Sequence, residues 1–438
     1  MNFYKAIHEN ILKGNYKNSL DKLNYVYKND NKNLECIYLL SKVYYQLNDP
    51  YNSIFFLKKY NQIKPNNILI LLNIAAILQN LGKISEAKEV YKNILKINPN
   101  VIKAYYGLFT LDNNDFDENA LQKIHCLKLK KETLLSDKSL INFIISKIYK
   151  KNKDLKNEVE YLNLSHSQSF KSNINYNEQS NFYYEKIISN YFNKINFTGK
   201  NYTNENFNYS NIIFIVGLPR SGSTFIESIL SQSSQKIKSL GEFHGINMCI
   251  FDQIAEKIYS SNFNLKDFTF EINKNLFQES LKNKFIFEDN QIIIDKSLEN
   301  IFNIEIILQF FPNAKFIHTF RNYKDSVIAI HQSMLSELSW AHNISSIKKY
   351  INNYNNVIKF FKTRYPDKIL DLDIERLTNS KELEAKKVFE FCNLVWDRKY
   401  LNYYDNKRLF SKTLSFKQIR SKIDKYDDNK YKKYYHLI

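Results

Sequence analysis

The sequence predicts a protein with two parts: an all-α repeat solenoid, followed by an α/β domain with a parallel sheet flanked by helices. Three observations predict it. The first third of the chain repeats with a fixed helical period. After about residue 209, short apolar runs alternate with helical stretches, which is typical of βαβ units. The first of these runs continues into GLPRSGST, residues 217–224, which fits most of the phosphate-loop pattern. We expect domains at 1–168 and 209–438, with a linker at 169–208 that contains a helical segment.

Equivalent positions in the helical region recur every 34 residues, which is the period of tetratricopeptide repeats. Gly14, Asn48 and Gly82 occupy one such position. The best copy places its apolar and small residues on two helices, with Leu71, Ile74, Ala75 and Leu78 on the first and Ala87, Tyr91 and Ile94 on the second. A solenoid of this kind offers a concave surface, so we expect a partner there. A peptide acceptor and a homo-oligomer are both open options.

Composition narrows the class of partner. The formal net charge is +18 and the pI is near 9.3, which favours anionic ligands. The lysines are spread over every helix, so we expect a solvated surface and no nucleic-acid partner. No apolar run reaches the ~18 residues of a membrane span. The widely spaced cysteines support neither a zinc site nor disulfides, and we expect a cytoplasmic protein. These cysteines are Cys36, Cys126, Cys249 and Cys392.

The phosphate-loop pattern departs from that of nucleotide hydrolases at one position, because Ser223 replaces the lysine. Gly217 and Gly222 permit a tight turn that directs backbone amides at an anion, at the start of a helix whose dipole also favours negative charge. The missing lysine would reach a transferred phosphate, and no strand clearly ends in an aspartate for magnesium. The loop therefore suits a phosphate that is bound but not transferred, and we expect no metal ion.

Five motifs, in order, resemble sulfotransferases that use 3′-phosphoadenosine 5′-phosphosulfate (PAPS), especially the branch with protein-tyrosine sulfotransferases and bacterial tetratricopeptide sulfotransferases. The resemblance covers residues 209–425. The motifs are FIVGLPRSGSTFIESIL (214–230), LGEFHG (240–245), IIIDKS (292–297), FFPNAKFIHTFRN (310–322), and the C-terminal group LDIERLTN, FEFCNLVWD and TLSFKQIRSKI. The resemblance implies a P-loop-like sulfotransferase domain with PAPS as its co-substrate.

The resemblance also implies which residues bind the donor. The residues for the 5′-phosphosulfate are Arg220, Ser221, Gly222, Ser223 and Thr224. Arg321 is implied for the 3′-phosphate, because a guanidinium fork matches phosphate geometry. The family usually has a serine eight positions later, where this chain has Ala329, and Ser326 lies on another face of the helix. We expect Ser415 or a nearby lysine to compensate.

The implied reaction is sulfuryl transfer to an acceptor hydroxyl, which requires a base and positive charge at the leaving oxygen. Glu242 is the candidate base, His244 is the alternative, and Lys296 is the candidate for the leaving group. The acceptor stays open among protein tyrosine, carbohydrate and small molecule. Two other hypotheses remain: an inactive nucleotide-binding scaffold, which Ala329 favours, and a P-loop kinase or NTPase, which Ser223 disfavours.

Overall fold

The computed structural model describes residues 3–112, 116, 118–199, 211–284, 291–405, 410–412, 416–422, 425–427 and 429–438. The chain forms two compact units, each made of three segments. The first unit contains Met1–Phe56, Glu185–Arg321 and Asn352–Asp427. The second unit contains Leu57–Tyr184, Asn322–Ile351 and Asp428–Ile438.

Among the described residues, the first 172 positions form ten α-helices joined by short turns, as the predicted helical region requires. The α-helices are, in chain order, α1 Phe3–Leu12, α2 Tyr16–Asn29, α3 Leu34–Gln46, α4 Pro50–Ile63, α5 Ile68–Asn80, α6 Ile84–Ile97, α7 Ile102–Leu111, α8 Glu118–Leu129, α9 Leu135–Lys151, α10 Leu155–Ser172, α11 Ile174–Phe182, α12 Ser189–Tyr191, α13 Ser223–Leu230, α14 Gly245–Ile258, α15 Lys274–Lys284, α16 Ile304–Phe310, α17 Tyr323–His331, α18 Ile344–Arg364, α19 Ile374–Asn379 and α20 Lys381–Phe391. A π-helical segment at Tyr183–Ile188 joins α11 to α12. Each described helix is too short or too polar to span a bilayer.

The repeat residues lie where the 34-residue period predicts. All seven apolar and small positions of the best copy, on α5 and α6, are buried. The turn position of the repeat takes a left-handed conformation in each copy, with φ of 74° at Gly14, 62° at Asn48 and 76° at Gly82. Glycine adopts this conformation without strain, which explains two of the three residues. The predicted helical period and the turn position that Gly14, Asn48 and Gly82 share are therefore confirmed.

The first unit contains a five-stranded sheet in which every neighbouring pair of strands is parallel, in the order β3-β5-β2-β6-β7. The strands are β1 Ile195–Thr198, β2 Ile212–Gly217, β3 Ile237–Ser239, β4 Phe270–Asn273, β5 Ile292–Asp295, β6 Lys315–Phe320 and β7 Ile369–Asp373. The predicted parallel sheet is confirmed, but β5 and β7 end in Asp295 and Asp373, so the expectation that no strand clearly ends in an aspartate was wrong. The sequence patterns did not predict the small β1–β4 sheet, whose strands have four residues each.

The first helix after β2 is held by the core of the sheet. All six residues of β2 are buried, as expected for a strand covered on both faces. Ile226 and Ile229 of α13 lie in one apolar cluster with Ile215 of β2 and Ile317 of β6. Burial of each such side chain contributes roughly 1.5–3 kcal/mol. This packing places the N-terminus of α13 at the carboxyl end of β2.

The second unit buries three histidines against one another. His166 of α10 has its Nδ1 3.2 Å from Nδ1 of His342, and its ring stacks on His331 at 4.4 Å between centroids. All three side chains are buried. Burial lowers the pKa of each histidine, and that of His331 falls to about 4. The cluster is therefore neutral near pH 7.

We predict that Gly107→Ala destabilises the repeat region. An exposed helical glycine gains about 1 kcal/mol on replacement by alanine. At Gly107 an added Cβ would lie 2.3 Å from the Tyr91 ring, so the ring or the helix must move. We expect a net loss of about 1–3 kcal/mol, measured by urea unfolding. In a double-mutant cycle, Tyr91→Leu should relieve most of that loss; additive effects of the two substitutions would contradict the packing explanation.

Candidate active site

The loop from Gly217 to Gly222 turns tightly between β2 and α13. Arg220 and Gly222 both have left-handed backbones, with φ of 68° and 91°. A Cβ at Gly217 would lie 2.4 Å from the carbonyl oxygen of Thr319 on β6, and one at Gly222 would lie 2.3 Å from Ile374. Glycine is therefore required at both ends of the loop. The turn leaves the first amides of α13, at Ser223 and Thr224, at a helix N-terminus that favours an anion.

Ser221 connects this loop to the sheet through its hydroxyl. Its hydroxyl donates to the carbonyl of Leu218 at 2.6 Å and lies 2.7 Å from Oγ1 of Thr319. The side chain is 1% exposed. Any contact of Ser221 with an anion in the loop would therefore involve its backbone amide.

The two arginines that were predicted to bind the sulfate donor, Arg220 and Arg321, contact each other. Arg321 follows β6 directly, and its Nη1 donates to the carbonyl of Arg220 at 3.2 Å. Its Nη2 donates to the hydroxyl of Tyr426 at 2.8 Å, and the guanidinium lies 5.1 Å from the centre of that ring. Arg220 donates to Oε1 of Gln418 at 3.2 Å. The C-terminal segment thus contributes Gln418 and Tyr426, which sequence reasoning missed.

Two further positions were singled out for the 3′-phosphate. Ser415 lies outside the described residues. Ala329 is buried on α17, at 2% exposure. Its side chain is a methyl group, so it offers no hydroxyl at that position. Ser326 donates to the carbonyl of Asn322 at 2.9 Å, within its own helix.

A buried lysine, Lys296, forms an ion pair with the partly exposed Glu242 at the carboxyl edge of the sheet. Nζ of Lys296 lies 2.9 Å from Oε1 of Glu242, and the lysine side chain is 1% exposed. The pair forms because β3 and β5 are parallel neighbours, and the amide of Lys296 donates to the carbonyl of Gly241 at 2.9 Å. Parallel sheets bind their ligands at this edge. The structure therefore brings the predicted base and the predicted leaving-group lysine together.

Glu227 completes this cluster and was not predicted. It lies on α13, with Oε2 3.7 Å from Nζ of Lys296 and Oε1 accepting from Ser239 at 2.6 Å. Burial would lower the pKa of Lys296, but the charges of Glu242 and Glu227 outweigh it and raise that pKa. The lysine is therefore an ammonium at neutral pH. A lone acid in the apolar stretch FIESIL was the available signal.

His244 is held by a second acid that was also missed, Glu299. Nδ1 of His244 contacts Oε1 of Glu299, which also accepts from Asn247 at 2.9 Å. The amide of His244 donates to Oγ of Ser297 at 2.8 Å, and the backbone of His244 is left-handed. Partial desolvation would lower the pKa of His244, whose side chain is 46% exposed, but the charge of Glu299 raises it to about 9. At neutral pH the imidazole is therefore protonated, whereas a base must be deprotonated.

Lys412 is a second lysine near this cluster, and sequence reasoning missed it as well. Its Nζ lies 4.6 Å from the centre of the Tyr45 ring and 3.5 Å from the carbonyl of Gln46. Burial lowers the pKa of Lys412 to about 8, although Glu242 acts in the opposite direction.

Within the described ranges, no three His, Cys, Asp or Glu side chains form a metal-binding group, and the metal-free reaction stays a prediction.

We predict that Asp295→Asn changes the pH dependence of stability. Asp295 is fully buried, Oδ1 accepts from the amide of Ser297 at 2.8 Å, and Oδ2 has no hydrogen-bond partner among the residues that the structure describes. Burial raises its pKa from 3.8 to about 6. The folded state then binds more protons than the unfolded state between these values, so stability falls as pH rises through them. The shift corresponds to about 3 kcal/mol.

The substitution should remove the pH dependence of stability that the Asp295 carboxyl contributes. The free energy of unfolding of Asp295→Asn minus that of the parent should be about 2 kcal/mol larger at pH 7 than at pH 4, because pH 4 already lies just above the carboxyl's unfolded pKa of 3.8. Asp373→Asn is the matched control, since Asp373 also ends a strand and accepts from an amide two residues on, Glu375, at 2.8 Å, but is only half-buried. Parallel pH curves for the parent and Asp295→Asn would show that the carboxyl titrates normally.

Comparison with known proteins assigns families to both regions. The profile of the sulfotransferase family matches residues 212–398, and a tetratricopeptide-repeat profile matches residues 34–67 and 69–101. An uncharacterised protein of Aquifex aeolicus (strain VF5) is 23% identical over 410 residues, which cover 90% of this chain and 52% of that protein. The chain thus spans about half the length of this relative.

Solved structures with similar regions include MamA and two sulfotransferase domains. The crystal structure of MamA covers 39% of this chain and 96% of its own, at 17% identity and a TM-score of 0.31. The sulfotransferase domain from the curacin biosynthetic pathway covers 48% and 86%, at 15% identity and a TM-score of 0.32. The sulfotransferase domain from the Synechococcus PCC 7002 olefin synthase covers 51% and 92%, at 16% identity and a TM-score of 0.31. These scores are too low to carry an argument. By its family matches, the chain carries tetratricopeptide repeats followed by a sulfotransferase-family domain.

Proposed function

We propose that the protein is a PAPS-dependent sulfotransferase that acts on an acceptor hydroxyl. The observation that carries this proposal is the convergence of an anion-binding loop, two adjacent arginines and a buried lysine paired with a partly exposed glutamate at one edge of the sheet. Glu227 ties these parts together, because it lies on the helix that follows the loop and also pairs with Lys296. The family match supports the same class of enzyme.

The residues present fit the two anionic ends of PAPS. The loop and the amides of Ser223 and Thr224 would hold the 5′-phosphosulfate, and Arg321 would hold the 3′-phosphate. Arg321 is already oriented by Tyr426 and by the Arg220 carbonyl. A guanidinium whose position is set before binding loses less freedom when it pairs with phosphate. The loop lacks a transfer lysine, which suits a phosphate that stays with its nucleoside.

Glu242 and Lys296, the two partners of the ion pair, would have different roles in the reaction. The acceptor hydroxyl forms a bond to sulfur while the bond from sulfur to the phosphate oxygen breaks, and adenosine 3′,5′-bisphosphate leaves. Glu242 would accept the hydroxyl proton, since His244 is already protonated at neutral pH. The Lys296 ammonium would offset the charge that develops on the leaving oxygen. The Glu242–Lys296 contact of 2.9 Å supports this division, because the two side chains lie beside each other.

The acceptor is proposed as a class. Protein tyrosine, carbohydrate and small phenols all offer the hydroxyl that this chemistry requires, and a peptide acceptor could be recruited by the repeats. An acceptor is identified by incubating the protein with sulfur-35-labelled PAPS and a lysate of its own organism. The labelled fraction is then separated into protein, carbohydrate and small-molecule pools.

We predict that adenosine 3′,5′-bisphosphate raises the Tm more than ATP does, because only the bisphosphate carries the 3′-phosphate. Arg321→Ala should weaken its binding by about 2–4 kcal/mol in calorimetric titration, since a charge-assisted fork is lost. Arg364→Ala is the matched control, because Arg364 also lies over a tyrosine ring, 5.5 Å from the centre of Tyr365, but away from the loop. Equal Tm shifts for the bisphosphate and ATP would mean that the 3′-phosphate is not read.

The second prediction here concerns the base. Glu242→Gln should bind the bisphosphate normally and slow transfer by about 100-fold or more at neutral pH. A His244 base would give a parent rate that rises with pH until its pKa of about 9. Glu271→Gln is the control, since Glu271 pairs with Lys257 at the surface, at 3.4 Å. A rising pH profile, with transfer lost in His244→Ala only, assigns the role to His244.

A further inference from the structure

The segment that carries Glu242 and His244 has little regular structure of its own. It leaves β3, which has only three residues, and turns at Gly241 with φ of 62° before α14 begins at Gly245. On one side it is held by β5 and the residues after it, through the carbonyl of Gly241 and the amide of His244. Its position therefore depends on what contacts its other side.

The other side is contacted by the helical repeat region, within the same compact unit. Nδ2 of Asn48, in the turn after α3, donates to the carbonyl of Ser239 at 3.1 Å. A Cβ at Gly241 would lie 3.5 Å from Oδ1 of Asn48, so the amide group of Asn48 spans the turn. This bond connects residues that are 191 positions apart in the chain.

A second contact reinforces the first. The ring of Tyr16, at the start of α2, packs against that of Phe243 with 6.0 Å between centroids. Tyr16 is 1% exposed and Phe243 is 5% exposed. Phe243 lies between the two base candidates in the chain, so this packing restricts both of them. Tyr45 and Gln46, at the end of α3, also contact Lys412.

The identity of residue 48 is informative because the repeat sets its backbone. Gly14 and Gly82, one period before and after, have the same left-handed conformation. Asparagine tolerates that conformation but gains nothing from it over glycine. What Asn48 adds is a side-chain amide, and that amide donates to Ser239. The departure from glycine coincides with the contact to the segment that bears the base.

From these contacts we infer that Asn48 is a positioning residue for the reaction, holding the Ser239–His244 segment so that Glu242 meets Lys296. The repeat region then has a role in the chemistry as well as in partner binding. The inference rests on the proposed function for its effect on transfer. Its effect on the segment itself does not depend on any acceptor.

The test compares two identical substitutions. Asn48→Gly keeps the left-handed turn and removes only the amide. Asn66→Gly is the matched control, because Asn66 has the same φ of 62° and an exposed side chain. Hydrogen–deuterium exchange of the peptide 239–248 in the full chain should be faster in Asn48→Gly and unchanged in Asn66→Gly. The Tm of both variants should stay within a few degrees of that of the parent, since in Asn48→Gly relief of the left-handed strain offsets much of the lost hydrogen bond.

Binding and turnover provide the second readout. The Kd for adenosine 3′,5′-bisphosphate should stay within about twofold, because the loop is untouched. Consumption of labelled PAPS with 4-nitrophenol as acceptor should fall by roughly 10–100-fold in Asn48→Gly, as expected for a displaced base. If 4-nitrophenol is not accepted, the exchange result decides alone.

Two outcomes would overturn the inference. Equal exchange of peptide 239–248 in both variants would show that Asn48 does not hold the segment. A fall in Tm together with weaker bisphosphate binding would show a general structural role. The proposed function fails separately, if the parent neither binds the bisphosphate nor consumes PAPS while the exchange difference persists.

Discussion

The buried ammonium of Lys296 is the interaction on which the candidate site depends. A lysine that is 1% exposed would lose several kcal/mol of hydration without partners. Its partners come from two different elements, Glu227 from α13 and Glu242 from the segment after β3. The same charge therefore joins the helix of the anion-binding loop, the segment with the candidate base and the end of β5. The charge that would act on the leaving oxygen also assembles the residues around it.

Much of the fold could be predicted because its signals are local. The runs IIFIVG and KFIHTF become β2 and β6 because strands buried on both faces are apolar throughout, and Leu71 and Ala87 mark a helical period. The pairing of Glu242 with Lys296 was also accessible, since both follow strands that end at one edge. The strands β1 and β4, INFT and FEIN, are not apolar throughout and give no such signal, although β5 has the same length.

The residues that sequence reasoning missed reach the site from distant or ordinary-looking positions. Glu227 is one acid on a short helix, and Glu299 lies just beyond the IIIDKS motif. Tyr426 is 105 positions from Arg321, and Asn48 is 191 positions from Ser239. Their roles come from tertiary contacts, which no spacing in a single sequence encodes. The repeat period assigns residue 48 to a turn, but only the fold shows what its side chain contacts.

Acid is expected to act on the two units through different groups. An unfolded histidine takes up a proton near pH 6.5, whereas the clustered His166, His331 and His342 resist protonation in the folded state. The second unit therefore loses free energy of unfolding as pH falls below about 6.5. In the first unit, proton uptake by Asp295 acts in the opposite direction. Acidification would thus lower the free energy of unfolding of the second unit, which holds most of the repeats. Protonation of Asp295 would favour the folded state of the unit that contains the sheet.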